Sequence, residues 1–447
     1  MAASGVLRGH ADDAQITTMI LRPLRTPSRI WWILFSITGL GTLALGCAIW
    51  YTVATGIGLW GNNIPVSWAF AIINFVWWIG IGHAGTFISA FLLLLHQKWR
   101  ASVNRIAEAM TLFALINAGL FPILHLGRPW FFYWLIPYPA RMQVWPQFRS
   151  SLPWDVAAVT TYFTVSLLFW YLGLVPDLAT ARDRMPGRLR RRIYGIFSLG
   201  WRGAAEQWHH YRIVYLLFAG LATPLVISVH SIVSLDFSIT QLPGWHSTIF
   251  PPYFVVGAIY SGFAMVLVLL IPVRRIFSLE SVITKQHLEN MGKLMLAMAM
   301  MLAYSYLVES FMAWYSGDPF ERYTYLFARP YGPYAGVYWI MLASNLLIPQ
   351  LLWWKRLRRS PVVLFATGIV VLVGMWLERF IIIVASLNRD FLPSAWHFYK
   401  PTWVDLTILF GSVSFFLFLF FLFLRWVPFV SISEVKELRR ELAEEAR

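Results

Sequence analysis

Charge-poor runs of twenty or more residues recur along almost the whole chain, separated by short polar segments. A hydrocarbon core of about 30 Å takes roughly 20 apolar residues per helix, so each run is long enough to cross a bilayer. Ten such spans are expected, over 31–55, 68–95, 106–126, 155–175, 212–235, 251–272, 291–315, 334–354, 362–387 and 403–425. The first 29 residues are polar with charges of both signs, unlike the short basic region of a cleaved signal peptide. The tail from Ser431 to Arg447 reads as a charged helix-former without a broad apolar face.

Ten crossings put both tails on one side, and the basic residues say which. With the tails inside, nearly four-fifths of the 36 Lys and Arg fall in inner segments, which predicts cytoplasmic termini. The longest inner loop, 177–211, carries the cluster Arg188, Arg190, Arg191 and Arg192. It reads first as a topology signal and second as a contact for anionic lipid or an acidic partner.

An internal repeat is faintly visible. Gly80, His83, Gly85, Leu92 and Leu93 in span 2 align at constant offset with Gly257, Tyr260, Gly262, Leu269 and Leu270 in span 6. Ser234-Leu235-Asp236 at the end of span 5 likewise matches Ser386-Leu387-Asn388 at the end of span 9. The expected fold is an all-α integral membrane protein with two pseudo-repeated four-helix bundles, spans 2–5 and 6–9, plus two peripheral helices. The units would be an N-terminal tail (1–29), a first peripheral span (30–66), a first bundle (67–236), a second bundle (237–390), a last peripheral span (391–430) and a C-terminal tail (431–447). An even number of spans per repeat preserves orientation, so the halves would be related by an axis along the membrane normal.

Composition narrows the class. The chain is 58% hydrophobic and 13% charged, against about 45–50% and 25% in soluble domains, which leaves no room for a disordered or collagen-like reading. The net charge of +15 is then a record of topology and calls for no nucleic acid. The single Cys47 excludes an internal disulfide, a thiolate zinc site and an iron–sulfur cluster held by about four thiolates.

Ionisable side chains inside spans are costly and therefore candidates for function. They are His83, Glu108, His125, Asp155, His230, Asp236, Glu309, Glu378, Arg379 and Asp405. Topology sorts them by depth: span 3 brings His125 to its outer end, span 4 begins outside with Asp155, and span 5 ends outside with Asp236. One imidazole and two carboxylates thus reach one level near the outer face. That is what a quinol needs, a hydrogen-bonding and proton-accepting group for each ring oxygen. The plainer reading is that helix ends near water carry polar residues, with Asp155 as the N-cap of span 4. Deeper down, Glu378 and Arg379 point about 100° apart on a helix and should find partners on other helices. A dihaem reading of His83 and His96, about 20 Å apart, lacks a second helix with a matching pair, because His230 and His246 are spaced differently.

The segment His125-Leu126-Gly127-Arg128-Pro129-Trp130, followed by Trp145-Pro146, Phe148-Arg149-Ser150 and Trp154-Asp155, is similar to the membrane subunit of the polysulfide-reductase (NrfD-like) family. Gly82-His83-Ala84-Gly85-Thr86 and Arg105-Ile106-Ala107-Glu108-Ala109-Met110-Thr111 extend the resemblance, which covers spans 2–9; the chain looks most like the larger such subunit of bacterial alternative complex III. It implies a menaquinol-oxidising subunit of a bacterial cell membrane, with no haem, iron–sulfur cluster or other metal of its own. The implied partners are a periplasmic iron–sulfur subunit, haem c subunits and a second NrfD-like membrane subunit. The family's quinol site falls on His125, Asp155 and Asp236, with Arg128 holding the turn or meeting a carboxylate. A proton path through His83, Glu108, Glu309, Glu378 and Arg379 is implied in the same way. Two other functions stay open at this point: a proton-coupled transporter or proton channel, and a quinone-reducing anchor of a molybdenum oxidoreductase.

Overall fold

A computed structural model describes residues 6–7, 12–25, 27–136 and 150–445. The motif residues Trp145-Pro146 and Phe148-Arg149 lie outside them. Among the described residues ten helices are long and apolar enough to cross a membrane. They are span 1 (Arg29–Thr55), span 2 (Phe70–Leu94), span 3 (Asn104–His125), span 4 (Leu152–Arg184), span 5 (Ala205–Ser238), span 6 (Phe250–Ile276), span 7 (Lys285–Tyr315), span 8 (Ala335–Trp353), span 9 (Pro361–Ala385) and span 10 (Trp403–Trp426). No strand occurs among the described residues, and the chain is an all-α multipass membrane protein.

Spans 2 and 6 are the most enclosed and pack against each other at the centre. Around span 2, spans 3, 4 and 5 close a ring; around span 6, spans 7, 8 and 9 close another; span 10 packs on the outside against span 3 and pairs with span 1. Between apolar helices in lipid there is little hydrophobic drive, so close approach depends on small residues. Gly85 lies against the Ala107 carbonyl and Thr111 of span 3, and Gly262 against the Ile81 carbonyl and Ala84 of span 2. A side chain at either glycine would push the central helices apart.

Even crossing number puts both tails at one membrane face, here the tail face; the other is the far face. Both tails fold there: the C-terminal one is helical, as its sequence suggests, and the N-terminal one, read only as polar, forms a helix as well. An N-terminal helix, Asp13–Arg25, buries Ile16, Ile20, Leu21 and Leu24, and a C-terminal helix, Ile432–Glu445, buries Ile432, Val435 and Leu438. Asp13 bridges the two through Arg439 and Arg440, each at 3.0 Å. Leu438 follows Val435 by three residues and Ile432 by six, so the tail does carry a narrow apolar stripe at helical spacing.

Three spans depart from plain α-helix. Residues Phe87–Phe91, Ala343–Leu347 and Ile381–Ala385 are π-helical, and span 8 finishes in 3-10 form over Ile348–Trp353. Such segments recur at functional sites in helical proteins because they re-aim side chains within a helix.

Candidate functional site

At the far face, span 4 begins at Leu152 with Ser151 in the cap position, so Asp155 sits within the first turn and is not the N-cap. Its backbone amide donates to the Ser151 carbonyl at 3.0 Å. Span 5 ends two residues beyond Asp236. The two carboxyls, delivered by different helices, lie side by side. The Ser151 hydroxyl donates to Asp236 Oδ1. Both acids are nearly closed to solvent, Asp155 at 6% and Asp236 at 7% exposure, and Asp155 Oδ1 has no donor among the described residues. A neighbouring pair of carboxyls is an arrangement that can hold one proton between two groups.

His125 closes span 3 at the same face but joins an aromatic cluster instead of the acids. Its ring stacks on Trp60 (centroids 6.3 Å apart) and meets the edge of Trp68 (6.4 Å). Trp68 in turn touches Phe237 (6.0 Å) and Trp245 (5.7 Å), so one indole separates the imidazole from the residue following Asp236. His125 is half-buried, with Nδ1 enclosed and without a partner among the described residues; Trp60 Nε1 is in the same condition. Beside them a small cavity is lined by Trp60, Asn74, Leu124 and Asp405. Arg128 is exposed in the turn after span 3 and makes no ion pair among the described residues. Gly127, at φ +72°, ends span 3 by donating to the Leu124 carbonyl at 3.0 Å, a left-handed position suited to glycine.

The deeper residues fall into three groups. In the centre of the first ring His83 Nδ1 bonds the Ile79 carbonyl at 2.7 Å, and its ring lies 4.8 Å from His230 and 5.2 Å from Tyr162. His83 Nε2 and both nitrogens of His230 are buried without partners among the described residues. Tyr162 donates to the Gly82 carbonyl (3.0 Å) and shares a hydrogen bond with Thr86 (2.8 Å). Toward the tail face Arg105 donates to Glu108 (3.2 Å), Asp177 (3.3 Å) and the Gly173 carbonyl (2.6 Å), while Tyr215 bonds Glu108 (3.3 Å). Glu434 of the C-terminal helix reaches into this cluster, meeting Arg100 at 2.8 Å and Asn104 at 2.9 Å.

In the second ring Arg379 pairs with its own neighbour Glu378 at 2.5 Å, against the expectation that each would find its partner elsewhere. Long side chains can curl toward each other even when their Cβ atoms diverge. Other helices still contribute: Tyr306 of span 7 donates to Glu378, and the guanidinium lies 4.3 Å over Phe254 of span 6. Glu309 accepts from Tyr325 at 3.0 Å. Glu309, Glu378, Tyr306, Tyr253, Tyr325 and Arg329 line a cavity of about 20 Å³, where a buried water needs roughly 10–15 Å³.

Sequence depth therefore anticipates the meeting of Asp155 with Asp236. It leaves out Ser151, Trp60, Trp68 and the contact of His83 with His230. A serine four residues before an aspartate, at a predicted helix start, is the one signal that pointed to Ser151. No group of three or more His, Cys, Asp or Glu side chains that could hold a metal ion occurs among the described residues.

The chain is 25% identical over 389 residues to a protein of Halobacterium salinarum named as a membrane component of dimethyl sulfoxide reductase, an alignment covering 85% of this chain and 82% of that one. It is 24% identical over 213 residues to a component of the selenate reductase of Mesobacillus selenatarsenatis, covering 45% and 47% respectively. Residues 58–389, which hold spans 2–9 and every side chain of the far-face site, match the family model of polysulphide reductase, NrfD, and the chain belongs to that family.

Proposed function

We propose that the chain is the quinol-binding membrane subunit of an oxidoreductase complex, oxidising menaquinol near the far face, which this reading makes periplasmic. The observation that carries it is the carboxyl pair Asp155–Asp236, enclosed at a helix-end corner beside an aromatic cluster that contains His125. Oxidation of a quinol releases two protons and two electrons. The carboxyl pair can take one proton, and the unpartnered Nδ1 of His125 can accept a hydrogen bond or the other proton. Flat indole rings of Trp60 and Trp68 suit the quinol ring. Arg128, exposed beside the site, would meet the partner or hold the turn.

The electrons would leave to redox centres in partner chains: an iron–sulfur subunit on the far face, then haem c subunits, with a second membrane subunit of the same family alongside. Both relatives are named for reductases, and a reductase consumes electrons, which favours quinol oxidation over quinone reduction here. In this reading residues 67–236 form the quinol-binding bundle and 237–390 its companion. Protons would move through His83 and Glu108 in the first and Glu309, Glu378 and Arg379 in the second.

His125→Ala and Asp236→Asn test the reading in the assembled complex. Each is expected to cut quinol:acceptor turnover by about 10²–10⁴-fold while the partner subunits still co-purify. Unchanged turnover overturns the site; a chain that isolates alone and moves a solute into liposomes overturns the function in favour of a transporter.

A further inference from the structure

Between spans 4 and 5 the chain forms a ten-residue helix, Arg188–Phe197, that none of the proposed redox chemistry uses. Its residues fall on three faces. Tyr194 and Arg190 face the protein: Tyr194 donates to the Trp426 carbonyl at 3.1 Å, and Arg190 donates to the Leu24 carbonyl at 3.0 Å and lies 5.6 Å over the Trp426 ring. Arg188, Arg191 and Arg192, at spacing i, i+3, i+4, form a second face; all three are exposed and make no ion pair among the described residues. Leu189, Ile193, Ile196 and Phe197, at i, i+4, i+7, i+8, form the third. Three of these apolar residues are strongly exposed, Leu189 at 72%, Ile196 at 70% and Phe197 at 53%, and Leu199 continues the patch at 68%.

The helix lies at a definite height. Tyr171 of span 4 donates to the Phe197 carbonyl at 2.9 Å. Nineteen residues of helix separate Tyr171 from the far-face start of span 4, about 30 Å at 1.5 Å per residue, which is the thickness of the hydrocarbon core. Trp426 ends span 10 after a comparable length of helix. Two spans therefore place this helix at the boundary between acyl chains and headgroups on the tail face. At that height an exposed row of Leu, Ile and Phe faces hydrocarbon, and a row of arginines on the other side of the same helix faces the headgroups.

We propose that Arg188–Phe197 is an interfacial helix that binds an anionic phospholipid, its phosphate held by Arg188, Arg191 and Arg192 and its acyl chains covering Leu189, Ile196, Phe197 and Leu199. The charge selects the lipid. A zwitterionic headgroup would bring its own cation against three arginines, whereas phosphatidylglycerol adds only negative charge. Asp183 feels the charge of Arg191, but its carboxylate is ion-paired with Arg182 at 2.8 Å and makes no ion pair with the cluster among the described residues.

Native mass spectrometry of the full chain, titrated with phosphatidylglycerol or phosphatidylcholine of matched acyl chains, reads the site directly. The triple variant Arg188→Gln, Arg191→Gln, Arg192→Gln removes no side-chain hydrogen bond or ion pair among the described residues. It is expected to weaken binding of the first phosphatidylglycerol on the order of tenfold or more and to leave phosphatidylcholine unchanged. The charge-matched triple Arg275→Gln, Lys355→Gln, Arg356→Gln, exposed elsewhere on the tail face, is expected to leave both unchanged. Leu189→Ser with Ile196→Ser should weaken both lipids alike. Equal losses in the two triples reduce the effect to overall charge and overturn the site. An unchanged affinity in the first triple overturns it too, as does the loss of a co-purifying partner with lipid binding intact, which would make this face a protein interface.

Discussion

Asp155→Asn and Asp236→Asn, made singly and together, ask whether the far-face acids act as one group. The two carboxyls are adjacent, arrive on separate spans and are each under a tenth exposed. Asparagine at 236 keeps an acceptor for the Ser151 hydroxyl, so the corner is expected to hold its shape. Removing a positioned proton acceptor slows a reaction by about 10²–10⁴-fold, or roughly 3–5 kcal/mol of barrier. Each single variant should lose that much in quinol oxidation. Independent acceptors would multiply to about 10⁴–10⁸-fold in the double variant, while two halves of one proton-sharing pair would leave it within about tenfold of the worse single variant. The assay is steady-state quinol:acceptor activity, normalised to complex by the amount of co-purified partner. Multiplicative losses refute the shared-proton reasoning, and wild-type rates in either single variant refute the role of the acids.

Three further outcomes follow from the packing. Arg105 is fully buried against two carboxyls and two carbonyls, so Arg105→Gln is expected to cost about 3–5 kcal/mol and lower the melting temperature in detergent, with Glu108→Gln in the same chain recovering part of the loss; an unchanged melting temperature contradicts the cluster. Deleting the C-terminal helix, residues 432–445, strips Glu434 from Arg100 and the Ser433 amide from Asp177, and should lower the melting temperature by more than Glu434→Gln, which costs about 1–3 kcal/mol; equal stability of all three chains contradicts the docking. Gly85→Val drives a branched side chain into the Ala107 carbonyl of span 3 and should abolish the yield of folded protein, whereas Gly119→Ala, with open space around it, should be neutral.

How much of this was legible in the sequence depends on which coordinate is asked for. Position along a span is one-dimensional and can be counted, so the ten spans are found within a few residues except where helices run on past the bilayer, as in spans 4, 5 and 7. Height follows from the same count, and Asp155 and Asp236 do meet. Azimuth around a bundle does not follow from counting. His125 has the right height but turns toward Trp60 and Trp68, and His230, at a different place in the sequence from any motif, faces His83. Glu378 and Arg379 defeat a rule based on Cβ directions because both side chains are long. The C-terminal tail reads as a helix-former, but its docking escapes because the apolar stripe of Ile432, Val435 and Leu438 is only one residue wide; the N-terminal helix, with Ile16, Ile20, Leu21 and Leu24 buried, is hidden among charges of both signs. The π segments at Phe87–Phe91 and Ile381–Ala385 have no breaker residue inside them to mark the change of winding.

Whether quinol binds at the far-face corner of the first ring is decided by a map of the assembled complex with a quinone analogue bound. Ring density is expected beside Trp68, with one ring oxygen within hydrogen-bonding distance of Asp155 or Asp236 and the other directed to His125. Ring density in the Glu309–Arg329 cavity of the second ring, or at the tail face, would contradict it.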